Sequence, residues 1–156
     1  MRTHDYAVQV SWTGAARGGT TAYRAYSREH AVEFDGGTRL TASADPAFLG
    51  DAELVNPEEL LLASLSQCHM LWYLGLCASS GVVVTAYRDA ATGTMTERPD
   101  GGGAFTEVVL HPEVQVAEAG MVSAAERLHE QANRKCFIAN SVNFPVRHQP
   151  TISTGG

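Results

Sequence analysis

Lysine is almost missing: Lys135 is the only one in 156 residues, and 11 basic residues stand against 17 acidic ones for a net charge of −6. Proteins that hold polynucleotides display basic patches that displace counterions from phosphate, so this balance excludes nucleic acid as a partner class. Cysteine is scarce too, with three in all and no Cys-x-x-Cys pair. An odd trio makes a poor disulfide framework and fits a reducing cytosol. The six histidines (His4, His30, His69, His111, His129 and His148) never fall at His-x-x-x-His spacing, so no zinc site is expected. Gly-x-Ser-x-Gly, phosphate-loop and dinucleotide fingerprints are also missing, which removes those hydrolase, nucleotide and cofactor chemistries. Residues 1–10 carry charge early and lack an apolar segment, so no signal peptide is read there.

What remains is an ordinary folded composition, 44% hydrophobic and 18% charged, without repeat or linker. One domain over residues 1–156 is expected, long enough for a core. Residues 6–13 alternate, with Tyr6, Val8, Val10 and Trp12 on one face, and predict a half-buried strand. A Gly-rich loop covers 14–20, and short strands are expected at 22–27 and 30–34. Asp35-Gly36-Gly37 then forms a hairpin turn into a strand at 38–42. Residues 43–55 have no period and read as a long loop, a length often functional in compact domains.

The strongest element follows. Asn56 suits an N-cap, Pro57 the first helical position, and Glu59 the acid of a capping box. From Leu60 to Ser79 runs a stretch of twenty residues without a charge, long enough to cross a membrane. Ser64, Ser66, Gln67, His69 and Gly75 interrupt it, its leading flank is acidic, and neither flank carries clustered Lys or Arg. It therefore reads as a core helix buried on several sides, and not as a membrane span. A strand is expected at 82–95, a turn at 98–103, and one or two strands at 105–116. Ser123 and Glu126 form a second capping box, and Met121, Ala125, Leu128, Ala132 and Cys136 recur at helical spacing. A last short strand covers 146–152. Strands, long helix, strands, helix and strand together predict an α+β fold with helices on a mostly antiparallel sheet.

The chemistry left open is that of thiols. Cys68 and Cys77 lie nine residues apart on one helix, about 180° and about 13 Å from each other, and cannot bridge. Cys77 is read as packing. Cys68 and Cys136 stand on different helices, free either to meet or simply to fill the core.

The stretch Asn56-Pro57-Glu58-Glu59-Leu60, continued by Ala63 to Cys68, resembles the first motif of the OsmC/Ohr family, in which a reactive cysteine follows the Glu by ten residues in a long central helix. Ala132 to Val146, with Cys136, Ser141-Val142 and Pro145-Val146, resembles its second cysteine motif. The opening Trp12-Thr13-Gly14 through Gly19-Thr20 and the element order also fit. The pattern departs after each cysteine, with His69 where an aromatic is usual and Phe137 where proline is common.

The resemblance implies an OsmC-like intertwined homodimer that reduces organic hydroperoxides in oxidative-stress defence, is reset by an external dithiol and needs no cofactor. By it, Cys68 is the peroxide-attacking cysteine, Cys136 the resolving one, and Glu58 a carboxylate that holds an arginine at the thiolate. A thiolate in mid-helix gains little from the helix dipole, so the cation must come from another segment. Arg28 is the first choice, then Arg17 in the Gly-rich loop, then Arg39. Glu58 sits about 15 Å along the helix from Cys68, so it serves Cys68 of the partner subunit unless the helix bends. His69 is either a satisfied core histidine or a proton donor to the departing alkoxide. Trp72, at i+4 from Cys68, is core or lines an apolar peroxide pocket. Arg134 and Lys135 either lower the Cys136 pKa or merely cap their helix. The competing readings are a non-catalytic dimer binding an apolar ligand between subunits, and a domain whose cysteines are only buried.

Overall fold

The computed structural model describes residues 1–155, and of Arg17 only the backbone. The chain divides into two compact units, Met1–Leu60 and Leu61–Gly156.

The first unit is built on an antiparallel sheet in the order β1 (Val8–Trp12), β2 (His30–Phe34), β3 (Arg39–Ala42). The β2–β3 turn closes through Gly37 N–H on the Phe34 carbonyl, 2.8 Å, with Gly37 at the positive φ that the turn requires. Strand β1 forms as predicted, but its apolar face is bare: Tyr6 is 90% exposed, Val10 62% and Trp12 42%. The strand expected at 22–27 is absent, and turns replace it. Its carbonyls are occupied otherwise, because the Trp12 indole donates to Ser27 O at 2.8 Å and the Arg28 guanidinium donates to Tyr23 and Tyr26. The loop 43–55 contains a 3₁₀ turn, Pro46–Phe48, capped by Asp45, and ends in a single parallel bridge from Val55 to Ala42. It is tightly folded: Ser43 Oγ accepts from the Asp51 N–H, and a Cβ on Gly50 would run into the Ala44 carbonyl.

Helix α1 (Pro57–Ser79) starts as the sequence predicts. Asn56 Oδ1 accepts from the Glu59 N–H at 2.8 Å while Glu59 returns to the Asn56 N–H at 3.1 Å, a reciprocal capping box. In the second unit α1 buries one stripe, Leu65, His69, Tyr73 and Cys77, at intervals of four. The expectation of burial on several sides is therefore not met within the chain, where Leu71 is 63% exposed.

Residues 82–95, expected as one strand, form two, β4 (Val84–Asp89) and β5 (Thr92–Glu97); residues 105–116 also form two, β6 (Gly103–Leu110) and β7 (Pro112–Val116). Asp89 marks the bend: its carboxylate accepts from the His111 N–H at 2.7 Å and from the Ser66 hydroxyl. The last stretch also splits, at Gln149-Pro150, into β8 (Val146–His148) and β9 (Thr151–Thr154), because proline has no N–H for a ladder. Two three-stranded mixed sheets result, β4-β7-β9 and β5-β6-β8, each an antiparallel pair with a parallel third strand.

Helix α2 (Val122–Lys135) buries Ala125, Leu128, His129 and Ala132, the predicted face. The Ser123 cap does not exist. Residue Met121 stands at the N-cap without a side-chain capping bond, and Ser123 lies inside the first turn, accepting from Arg127 at 2.6 Å. A preceding 3₁₀ turn, Ala119–Met121, already engages the Val122 N–H, so fewer donors need a cap. The core gathers in two clusters, one around Tyr73, Val114, Val116, Leu128 and Ala132, the other around Leu65, Val108 and Leu110. The fold is α+β as expected, with the sheets smaller and more mixed than the sequence suggests.

Candidate functional site

The buried stripe of α1 sets the site. Cys68 stands one residue off that stripe, partly exposed, and Cys136 ends α2, 1% exposed. Residue Cys136 takes extended dihedrals that stop the helix, while its N–H still reaches Ala132 O at 2.9 Å. That stop leaves its thiol beside Cys68, near enough for the Cys68 thiol to bear on its titration, and both thiols are free. The Ala139 N–H donates to Cys136 Sγ at 3.4 Å. Burial pushes the Cys136 thiol up to about 11, with the Ala139 N–H opposing and the neighbouring Cys68 thiol adding to the rise. The basic pair before it does not lower it. Lys135 turns its Nζ over the Trp72 ring at 5.4 Å, and Arg134 pairs with Glu130 at 3.7 Å. Residue Cys77 is buried and its thiol is raised by that burial, as a packing cysteine should be.

Trp72 lies on the Cys68 side of α1 and meets Phe137 edge-to-face at 5.5 Å. With Leu71, Gly75, Leu76 and Ser79 it lines an open apolar groove of about 430 Å³. His69 points the other way, into the core. Its Nε2 meets His129 Nδ1 at 3.0 Å, and it is 1% exposed. Burial, then the nearby His148, pushes the imidazole down to about 4, with Asp89 opposing. The proton-donor reading of His69 thus gives way to the core reading. His129 and His148 were missed as its neighbours. A histidine between Leu128 and Ala132 on the apolar face of α2 was the available signal for His129.

The other expected site residues belong to the first unit. Arg28 is held by its own loop, bonded to Tyr26 O at 2.6 Å and to Tyr23 O, with its guanidinium over both tyrosine rings at 4.0 and 4.7 Å. Arg39 pairs with Glu33 at 3.5 Å, and the side chain of Arg17 lies outside the described residues. Glu58 stands in the first turn of α1, partly exposed. Among the described residues no group of three or more His, Cys, Asp or Glu is placed to hold a metal.

Residues 50–150 match the family described as OsmC-like proteins. The chain belongs to the OsmC-like family. None of the curated proteins matches it. Among solved structures it is similar to an OsmC-like protein of unknown function from Vibrio cholerae, 34% identical, covering 96% of this chain and 100% of that one, with a TM-score of 0.86. An organic hydroperoxide resistance protein from Elizabethkingia anophelis is 21% identical over 99% of this chain and 100% of that one, with a TM-score of 0.70. A second Vibrio cholerae protein, described as a putative organic hydroperoxide resistance protein with captopril in one of its active sites, is 17% identical over 96% of this chain and 93% of its own, TM-score 0.65. The last two share the OsmC-like fold with this chain.

Proposed function

We propose that this OsmC-like protein is a two-cysteine organic hydroperoxide reductase of the reducing cytosol. The observation that carries the reading is the pairing of a partly exposed Cys68 with a buried Cys136. A thiol raised to about 11 stays protonated near neutral pH, which suits Cys136 to resolving and leaves the first attack to Cys68. Cys68 sulfur attacks the terminal peroxide oxygen, the O–O bond breaks, and the alkoxide leaves as alcohol with the thiol proton. Cys136 then attacks the resulting sulfenic acid, its proton leaving with the hydroxyl as water, and a Cys68–Cys136 disulfide forms. An external dithiol restores both thiols by exchange.

Arg28 and Glu58 are the cation and carboxylate assigned to the Cys68 thiolate, the role that the OsmC/Ohr resemblance gives them. A homodimer supports that role, with one copy's Glu58 serving the other's Cys68. The bare apolar face of β1 and the uncovered side of α1 at Leu71 are the surfaces such a dimer would bury. The Trp72 groove favours apolar hydroperoxides. It also supports the second reading, a non-catalytic dimer that holds an apolar ligand.

The test is a single turnover. Reduced protein receives one equivalent of cumene hydroperoxide and is then alkylated, digested and mapped by mass spectrometry. A Cys68–Cys136 disulfide with Cys77 alkylated is expected, and Cys68→Ser should abolish it. Three thiols still free would reject the peroxidase and favour the ligand-binding dimer.

A further inference from the structure

The two thiols sit on separate helices, yet a disulfide tolerates little error. Its Cα atoms must lie roughly 4.4–6.8 Å apart and its Cβ atoms roughly 3.5–4.5 Å. The distance between α1 and α2 therefore decides whether the pair can bridge. Apolar packing alone is a loose ruler, because Ala125, Leu128 and Ala132, in one core cluster with Tyr73 and Cys77 of α1, make only non-directional contacts. Between them stands a directional contact, the hydrogen bond from α1 to α2 made by His69 Nε2 and His129 Nδ1 at 3.0 Å. Position 69 is the residue next to Cys68, and position 129 lies on the Cys136 face of α2, about two turns before it.

We propose that the His69–His129 hydrogen bond is a strut that sets the α1–α2 spacing at which Cys68 and Cys136 pair. These histidines are positioning residues and touch neither sulfur nor substrate. The inference rests on the thiol-pair part of the function proposed above, and on no peroxide.

Burial gives the strut its stiffness. His69 and His129 are 1% and 0% exposed, where an N–H···N bond is little weakened by water and costly to leave unmade. The Tyr73 ring stacks on His129 with centroids 3.8 Å apart and planes within 10°, fixing its rotamer. His148 of β8 closes the far side, 5.6 Å from the His69 ring and 6.1 Å from that of His129, and its Nε2 faces Glu130 at 3.8 Å. Asp89, at the end of β4, and the partly buried Tyr87 complete the titratable surroundings. One neutral ring must donate and the other accept. Burial keeps both neutral, with His129 pushed down to about 3. The outer nitrogens, His69 Nδ1 and His129 Nε2, have no partner among the described residues. The shared bond is therefore the one polar contact that holds either ring in register.

The experiment measures the Cys68–Cys136 dithiol–disulfide equilibrium in dithiothreitol redox buffers at pH 7, by alkylation and mass spectrometry. His69→Leu and His129→Leu remove the strut. His69→Gln and His129→Asn keep an amide atom close to where Nε2 and Nδ1 stood, and His129→Gln sets it one methylene too far.

The leucine variants should lower the disulfide equilibrium constant at least tenfold, and His69→Gln and His129→Asn should stay within about threefold of the unmodified protein. Leucine variants that fold, by circular dichroism, with an unchanged constant overturn the proposal. Should they not fold, His129→Asn against His129→Gln decides: a lower constant for Gln alone supports the strut, and equal constants overturn it. A chain that forms no disulfide in these buffers also overturns it. One that forms it here, with the expected variant ranking, but not with cumene hydroperoxide keeps the strut and loses only the peroxidase.

Discussion

The two helices solve the same problem differently. Helix α2 is amphipathic, and the face its sequence marks as apolar is the face it buries: Ala125, Leu128 and Ala132. Helix α1 is apolar nearly all round but buries only Leu65, His69, Tyr73 and Cys77, leaving Leu71 bare and Trp72 in an open groove. An amphipathic helix is completed by its own chain. One with apolar residues on every side is made to be covered twice, once by its own sheets and once by something else.

The largest effect that would sharpen this contrast lies within α1 itself. Leu65→Ala, fully buried, should cost about 2–5 kcal/mol of unfolding free energy in urea melts. Leu71→Ala should cost under about 0.5 kcal/mol in a monomer but weaken self-association, read by light scattering across a dilution series. Equal losses at the two positions in a protein that stays monomeric would break the comparison and count against the dimer.

The contact between the helices predicts a pH dependence of intermediate size. An unfolded imidazole titrates near 6.5. Burial holds His69 down to about 4 and His129 to about 3, and His148 is lowered too, with Glu130 opposing. As pH falls, the unfolded chain therefore takes up protons before the folded one. The stability is whole above about pH 6.5 and is lost progressively toward about pH 3, where the lower of the two folded imidazoles takes up its proton. At pH 5 the loss should be on the order of 2 kcal/mol for each of His69 and His129. Urea melts at pH 7 and pH 5 check this, and the loss should shrink in His129→Asn. A pH-independent melt over that range would mean that the imidazoles are not held neutral.

The smallest effect compares the helix starts. Asn56→Ala should cost about 1 kcal/mol, because it removes half of a reciprocal capping box. Ser123→Ala should cost under about 0.5 kcal/mol, since Ser123 caps nothing and gives up only its bond to Arg127. Thermal melts of the two variants rank them.

Both starts looked alike in the sequence, each with a polar residue three before a glutamate. A cap needs extended dihedrals at its first residue, and the 3₁₀ turn Ala119–Met121 had already brought the chain into helical geometry before Ser123. The strand expected at 22–27 failed for a related reason. Its alternation was local, while the carbonyls that a ladder would use were taken by Trp12 and Arg28 from outside it.

Local rules determined what they could reach. The capping box of α1, the Gly37 hairpin, the buried face of α2 and the packing role of Cys77 follow from residues within a few positions of one another, where hydrogen-bond geometry and helical period suffice. The paired motifs around Cys68 and Cys136 were legible as a resemblance, though no spacing rule could bring the thiols together. Only tertiary structure decided that they are neighbours, that Asp89 bends two long strands into two sheets, and that His69 and His129, sixty residues apart, share one buried hydrogen bond. Such contacts depend on where whole elements dock, and docking is set by summed burial and by partners that lie far off along the chain.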